Sequence, residues 1–127
     1  MLYADCVGSS LEFIEAPVFT ALHRRYMDDD VYRALQSHLA EAPEAGDVMP
    51  GTGGFRKLRW AEAGRGKGKR GGLRVIYYYF PDDDQVWLVT LYGKGEVADL
   101  NATEKRQLKT AISIEAAARA LKRGRRR

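Results

Sequence analysis

The chain has 127 residues, 45% hydrophobic and 30% charged, which suits one globular domain able to bury a core without disulfide or metal staples. No window reaches the ~18 to 20 apolar residues of a membrane span, and the start lacks the basic, apolar and cleavage regions of a leader, so a cytoplasmic protein without a membrane partner is expected. The net charge of +4 is unevenly spread: residues 1–55 carry three Lys/Arg and nine Asp/Glu, residues 56–127 eighteen and eight, and a basic half of this kind points to a polyanion, most often nucleic acid.

Residues 1–10 show no periodicity and read as an N-terminal extension. LEFIE at 11–15 is a short strand. Pro17 suits a first helical position, and Val18, Phe19, Leu22 and Tyr26 fall at helical spacing over 17–27. DDD at 28–30 supplies an N-cap and favourable charge for a second helix, whose stripe is Val31, Leu35 and Leu39 and which Pro43 ends. These two helices form a hairpin. Residues 41–54, EAPEAGDVMPGTGG, read as a connecting loop.

Three strands follow as an antiparallel meander: FRKLRW at 55–60, GLRVIYYYF at 72–80 and QVWLVTLY at 85–92, with PDDD as the turn between the last two. Asn101 or Thr103 caps a final helix through about Leu121, with Leu108, Ala111, Ile112 and Leu121 on its buried side. The predicted fold is α+β. One antiparallel sheet, a short N-terminal strand plus the meander, carries an N-terminal helical hairpin and a C-terminal helix. The domain is expected over 11–122, followed by a basic, unpacked tail at 123–127.

Several motifs carry no chemistry on inspection. GKGKRG at 66–71 has dinucleotide-loop spacing but opens a strand instead of a helix, and it lacks the Lys-Ser/Thr ending of a phosphate loop. Cys6 stands alone, so no metal or redox motif is expected. His23 and His38 sit in the acidic half and read as structural, while Asp28–Asp30 and Asp82–Asp84 read as cap and turn. No cofactor or metal is expected.

The basic cluster is different. Arg56, Lys57, Arg59, Arg65, Lys67, Lys69, Arg70 and Arg74 stand against one acid, Glu62. Strand alternation puts Lys57 and Arg59 on one face, where Arg74 can join them across the ladder and Lys94, past Tyr92, can approach. Like charges so close repel, and a fold accepts that cost most readily where an anion fills the space. Trp60 and Tyr92 are the aromatics placed to stack on unpaired bases, with packing the competing role for every aromatic here.

FRKLRW, the Gly/Lys/Arg loop, GGLRVIYYYF and LYGKGEVADL together resemble the RelE/ParE superfamily of bacterial toxins, in particular its HigB-like, phage-derived branch, from about Phe13 to Leu121. The resemblance implies a RelE-like fold and an mRNA interferase: the toxin of a type II toxin-antitoxin system, cleaving mRNA in the ribosomal A site and held inactive by a helix-turn-helix antitoxin. By position it implies catalytic roles for Lys57, Arg59, Arg74, Tyr92 and Lys94, while the basic cluster and the tryptophan within it supply the expected RNA contacts, Arg56, Trp60, Arg65, Lys67, Lys69 and Arg70. Some relatives carry a catalytic tyrosine further on, whereas this chain reads GKGEVADLN, which leaves the general acid and base open. A ParE-like topoisomerase inhibitor and a non-enzymatic RNA-binding module are the alternatives.

Overall fold

The computed structural model describes residues 11–60, 72–93 and 100–125. In chain order the elements are β1 (Glu12–Glu15), α1 (Pro17–Tyr26), α2 (Asp29–Glu41), β2 (Asp47–Val48), β3 (Arg56–Trp60), β4 (Leu73–Phe80), a 3-10 turn (Pro81–Asp83), β5 (Gln85–Gly93) and α3 (Ala102–Arg125). The fold is α+β, with one five-stranded sheet ordered β1-β5-β4-β3-β2.

The local signals act as chemistry requires. Pro17 opens α1, where its missing N–H would have no helical partner. Asp28 accepts from the Val31 N–H at 2.9 Å and caps α2. At α3, Asn101 and Glu104 exchange hydrogen bonds of 2.9 and 2.8 Å in a capping box.

Helices cover both faces of the sheet. On one face Leu58, Leu73, Val75, Tyr77, Val86 and Leu88 pack with Phe19, Leu35 and Leu39 of the helical hairpin. On the other Phe55, Ile76, Phe80 and Tyr92 pack with Ile112 of α3. Burial on both sides is why β4 reads as an almost unbroken apolar and aromatic run. Tyr77, fully buried, ties the sheet to the preceding loop: its hydroxyl donates to the Pro43 carbonyl at 2.8 Å and accepts from the Gly46 N–H at 2.9 Å.

Four expectations need correction. The sheet is mixed, since β1 runs parallel to β5 (Glu12 opposite Gln85, Glu15 opposite Leu88) while the other pairs are antiparallel. Four residues of edge strand carry no directional signal of their own; the direction follows from the crossover through the hairpin that returns the chain to this sheet. Residues 47–48, expected as loop, form a two-residue strand against Lys57 and Arg56. The buried side of α3 is narrower than its sequence stripe, for Ile112 is buried while Ala111 is exposed and Leu121 is 59% exposed. Finally, α3 continues to Arg125, past the expected start of an unpacked tail.

That last turn of α3 is held by charge. Arg119 donates to Asp83 and to Glu115, each at 2.8 Å, and to the Gln85 side-chain oxygen, with its guanidinium 3.7 Å above the Phe80 ring. Arg123 adds contacts of 3.7 and 3.5 Å to Asp82 and Asp83. Burial of Arg119 works against its charge, but the two carboxylates outweigh it and hold the guanidinium pKa above its ordinary value.

Candidate nucleic-acid interface

The ladder assembles the site. Arg59 of β3 is directly opposite Arg74 of β4, and Arg74 is directly opposite Tyr92 of β5, so three neighbouring strands present one transverse row. Lys57 stands one pleat along β3, ~7 Å from Arg59, opposite Ile76. The row shares the face of the sheet that carries Phe55, Ile76 and Tyr92 and receives α3. Directly opposed residues leave the sheet ~5 Å apart at Cβ, which brings two cationic stems side by side at a position where like charges destabilise the pair.

Arg59 is exposed and its side chain enters no hydrogen bond or ion pair among the described residues. Arg74 is half-buried, with Nη1 donating to the carbonyl of Leu73 at 3.3 Å. Tyr92 is 8% exposed and packs in the apolar cluster under α3, so its ring is mainly a floor for the row. Asp47 lies opposite Lys57 across the β2–β3 ladder and places one carboxylate at the margin. The geometry offers an exposed guanidinium beside a second one on a rigid three-strand platform. Planar, permanently charged forks of this kind suit a phosphodiester.

Two of the proposed RNA contacts are engaged elsewhere. Arg56 donates to the Glu44 and Gly46 carbonyls at 3.2 and 2.8 Å and lies 3.8 Å from the Glu44 carboxylate, which commits it to bracing the loop before β2. Trp60 faces the helical hairpin: its indole donates to the Val31 carbonyl at 3.3 Å and its ring lies 5.2 Å from that of His38. Both have the opposite strand parity to Lys57 and Arg59, so alternation itself separates them from the row. Lys94 and the loop cations Arg65, Lys67, Lys69 and Arg70 lie outside the described residues.

A second polar cluster appears where sequence gave no signal, because its members come from three elements. Glu15 at the end of β1 accepts from Thr20 at 2.6 Å and from the Tyr32 hydroxyl, and His23 Nε2 lies 3.8 Å away. Burial pushes the Glu15 carboxyl up, but the Thr20 and Tyr32 hydrogen bonds and the nearby His23 and Arg24 outweigh it and hold the pKa below the ordinary value. Burial and the adjoining carboxylate push the Tyr32 phenol well above its own. His23 is wedged between the Phe19 and Tyr32 rings, so this cluster clamps β1, α1 and α2 together.

At the other end of the sheet a cleft of about 330 Å³ is lined by Asp83, Gln85, Glu115, Arg119, Lys122 and Arg123. Its arginines are paired with its own carboxylates. Among the described residues no three His, Cys, Asp or Glu side chains gather as a metal site, and no helix is long and apolar enough to cross a membrane. A comparison with protein-family models finds no match to the chain.

Proposed function

We propose that the protein is a toxin of the RelE/ParE type, HigB-like, acting as a ribosome-dependent mRNA endoribonuclease that a helix-turn-helix antitoxin holds inactive in the cytoplasm. One observation carries the reading: the cross-strand register sets Arg59 beside Arg74 on one face, with Lys57 a pleat away. In this reaction the RNA's 2′-hydroxyl attacks the adjacent phosphorus, the bond to the 5′-oxygen breaks, and the products are a 2′,3′-cyclic phosphate and a 5′-hydroxyl. The 2′-oxygen gives up its proton and the departing 5′-oxygen gains one.

Catalysis of that step rests on alignment and on stabilising the extra negative charge of the transition state. Arg59 and Arg74 would grip the non-bridging oxygens, since both stay charged at every working pH. Lys57 is the candidate base and Lys94 the candidate acid. Ribosomal RNA would complete the in-line geometry, so cleavage of free RNA is expected to be weak.

The test is to induce the protein in cells and map mRNA 5′ ends. New ends inside reading frames, with translation failing first, support the nuclease. Replication failing first without new ends indicates the topoisomerase inhibitor, and RNA association without new ends indicates a binding module.

A further inference from the structure

Of the cations near the C-terminal end of α3, Arg119 is neutralised by Asp83 and Glu115 and Arg123 by Asp82 and Asp83, whereas Lys122 and Arg125 beside them enter no side-chain ion pair among the described residues. Near its other end Lys105 and Lys109 enter no side-chain hydrogen bond or ion pair among the described residues. They are one helical turn apart on the same flank, ~6 Å along the axis.

That flank borders the loop leading into β3. A Cβ built on Gly51 would lie 3.9 Å from Lys105 Cδ, and one on Gly53 would lie 3.4 Å from Lys109 Cγ. Gly51 and Gly53 have φ of +82° and +81°, so the loop adopts a backbone that favours glycine and lets the two lysine stems lie against it. Two residues beyond this loop β3 delivers Lys57, then Arg59. Ile112, one turn beyond Leu108 on α3, shares a cluster with Phe55 and Ile76, and Ile76 is the residue opposite Lys57. Lys57 and Arg59 thus lie on the sheet face that packs on α3, and Lys105 and Lys109 lie against the loop that leads into β3. Packing explains the stems, and nothing described explains the charges.

We propose that Lys105 and Lys109 form a second phosphate-contact segment, continuing from the Arg59–Arg74 row past Lys57 along α3, so that a single RNA strand is held by several successive phosphates. The segment rests on the reading of the row as an RNA site, and it makes the ligand an extended strand with several phosphates instead of an isolated phosphate. Contacts of this type carry no sequence information; they add affinity and salt sensitivity.

The experiment uses the full chain and fluorescent 2′-O-methyl RNA, which cannot be cut, in lengths of about three and about twelve nucleotides. Binding is measured across a salt series. For the longer strand Lys105→Gln with Lys109→Gln is expected to flatten the slope of log K against log salt by about 1 to 1.5, near the ~0.7 per phosphate contact of single strands, and to leave the trinucleotide unaffected. Lys122→Gln with Arg125→Gln removes the same charge from the far end of α3 and is expected to change neither. An unchanged slope in the Lys105/Lys109 variant, or an equal loss in the Lys122/Arg125 control, overturns the segment. Arg59→Gln with Arg74→Gln should weaken both lengths; if it weakens neither while the lysine variant still flattens the slope, the row fails, and with it the continuation, and Lys105 and Lys109 are left as a separate RNA contact. Wild-type protein that binds neither strand overturns both.

Discussion

Replacing Arg119 by alanine should be the most damaging change to a charged residue of α3. The side chain is only 16% exposed, and its loss removes two 2.8 Å charge-assisted hydrogen bonds, the donation to Gln85 and the contact with Phe80. A hydrogen bond to a charged group contributes about 1.5 to 3 kcal/mol when buried. Asp83 and Glu115 are 29% and 34% exposed, so water recovers part of what they lose, and the total falls to roughly 2 to 4 kcal/mol. For a domain of this size that lowers the melting temperature by roughly 10 °C. Urea titration followed by circular dichroism gives the free energy, and hydrogen exchange should show residues near 115–125 opening first. Arg119→Met keeps the stem over Phe80 and should lose less; adding Glu115→Gln should recover part of the remainder by removing a carboxylate whose ion pair is with Arg119. An Arg119→Ala protein within ~0.5 kcal/mol of wild type would refute the idea that charge fastens the end of α3.

Three further outcomes follow from specific contacts. Tyr77→Phe leaves the buried Gly46 N–H without its acceptor and should cost about 1 to 3 kcal/mol in the same titration, although only one oxygen is removed. Gly53→Ala combines a φ of +81° with a Cβ 2.9 Å from Ile112 Cγ2 and should destabilise by roughly 1 to 3 kcal/mol, whereas Gly124→Ala, with nothing within 4 Å, should be neutral or slightly stabilising by thermal melt. Glu15 has its folded-state pKa depressed below the unfolded value, so its contribution is complete above the unfolded pKa of about 4.3 and disappears as pH falls through the folded value. Urea midpoints measured from neutral pH down into this range should therefore fall less steeply for Glu15→Gln than for wild type.

Much of the architecture was legible because it depends on local chemistry. Pro17, the Asp28 cap and a cap at Asn101 or Thr103, which the structure places at Asn101, mark helix starts, and the turn-flanked aromatic runs mark β4 and β5. The direction of β1 was not legible, because it is decided by the path of some seventy intervening residues rather than by EFIE itself. The end of α3 was hidden for a similar reason: a basic run looks like a solvated tail until Asp82 and Asp83 are brought beside it. In the site, period-two alternation correctly groups Lys57 with Arg59, but the register that aligns Arg59 with Arg74 and Tyr92 is a property of paired strands. Applied strictly, the same alternation also separates Arg56 and Trp60 from that group. A count of cations in a window is blind to parity and so admits Arg56, and nearness in sequence admits Trp60 in the same way.

The most direct measurement is the single-turnover rate at which purified protein cuts mRNA on programmed ribosomes, with the chemistry of the new ends determined. The account predicts 5′-hydroxyl and 2′,3′-cyclic phosphate ends, and a fall of about a hundredfold or more for Arg59→Gln and for Arg74→Gln, each removing a donor to the charge that develops on the phosphate. Wild-type cleavage by the variant lacking both guanidinium groups would contradict it.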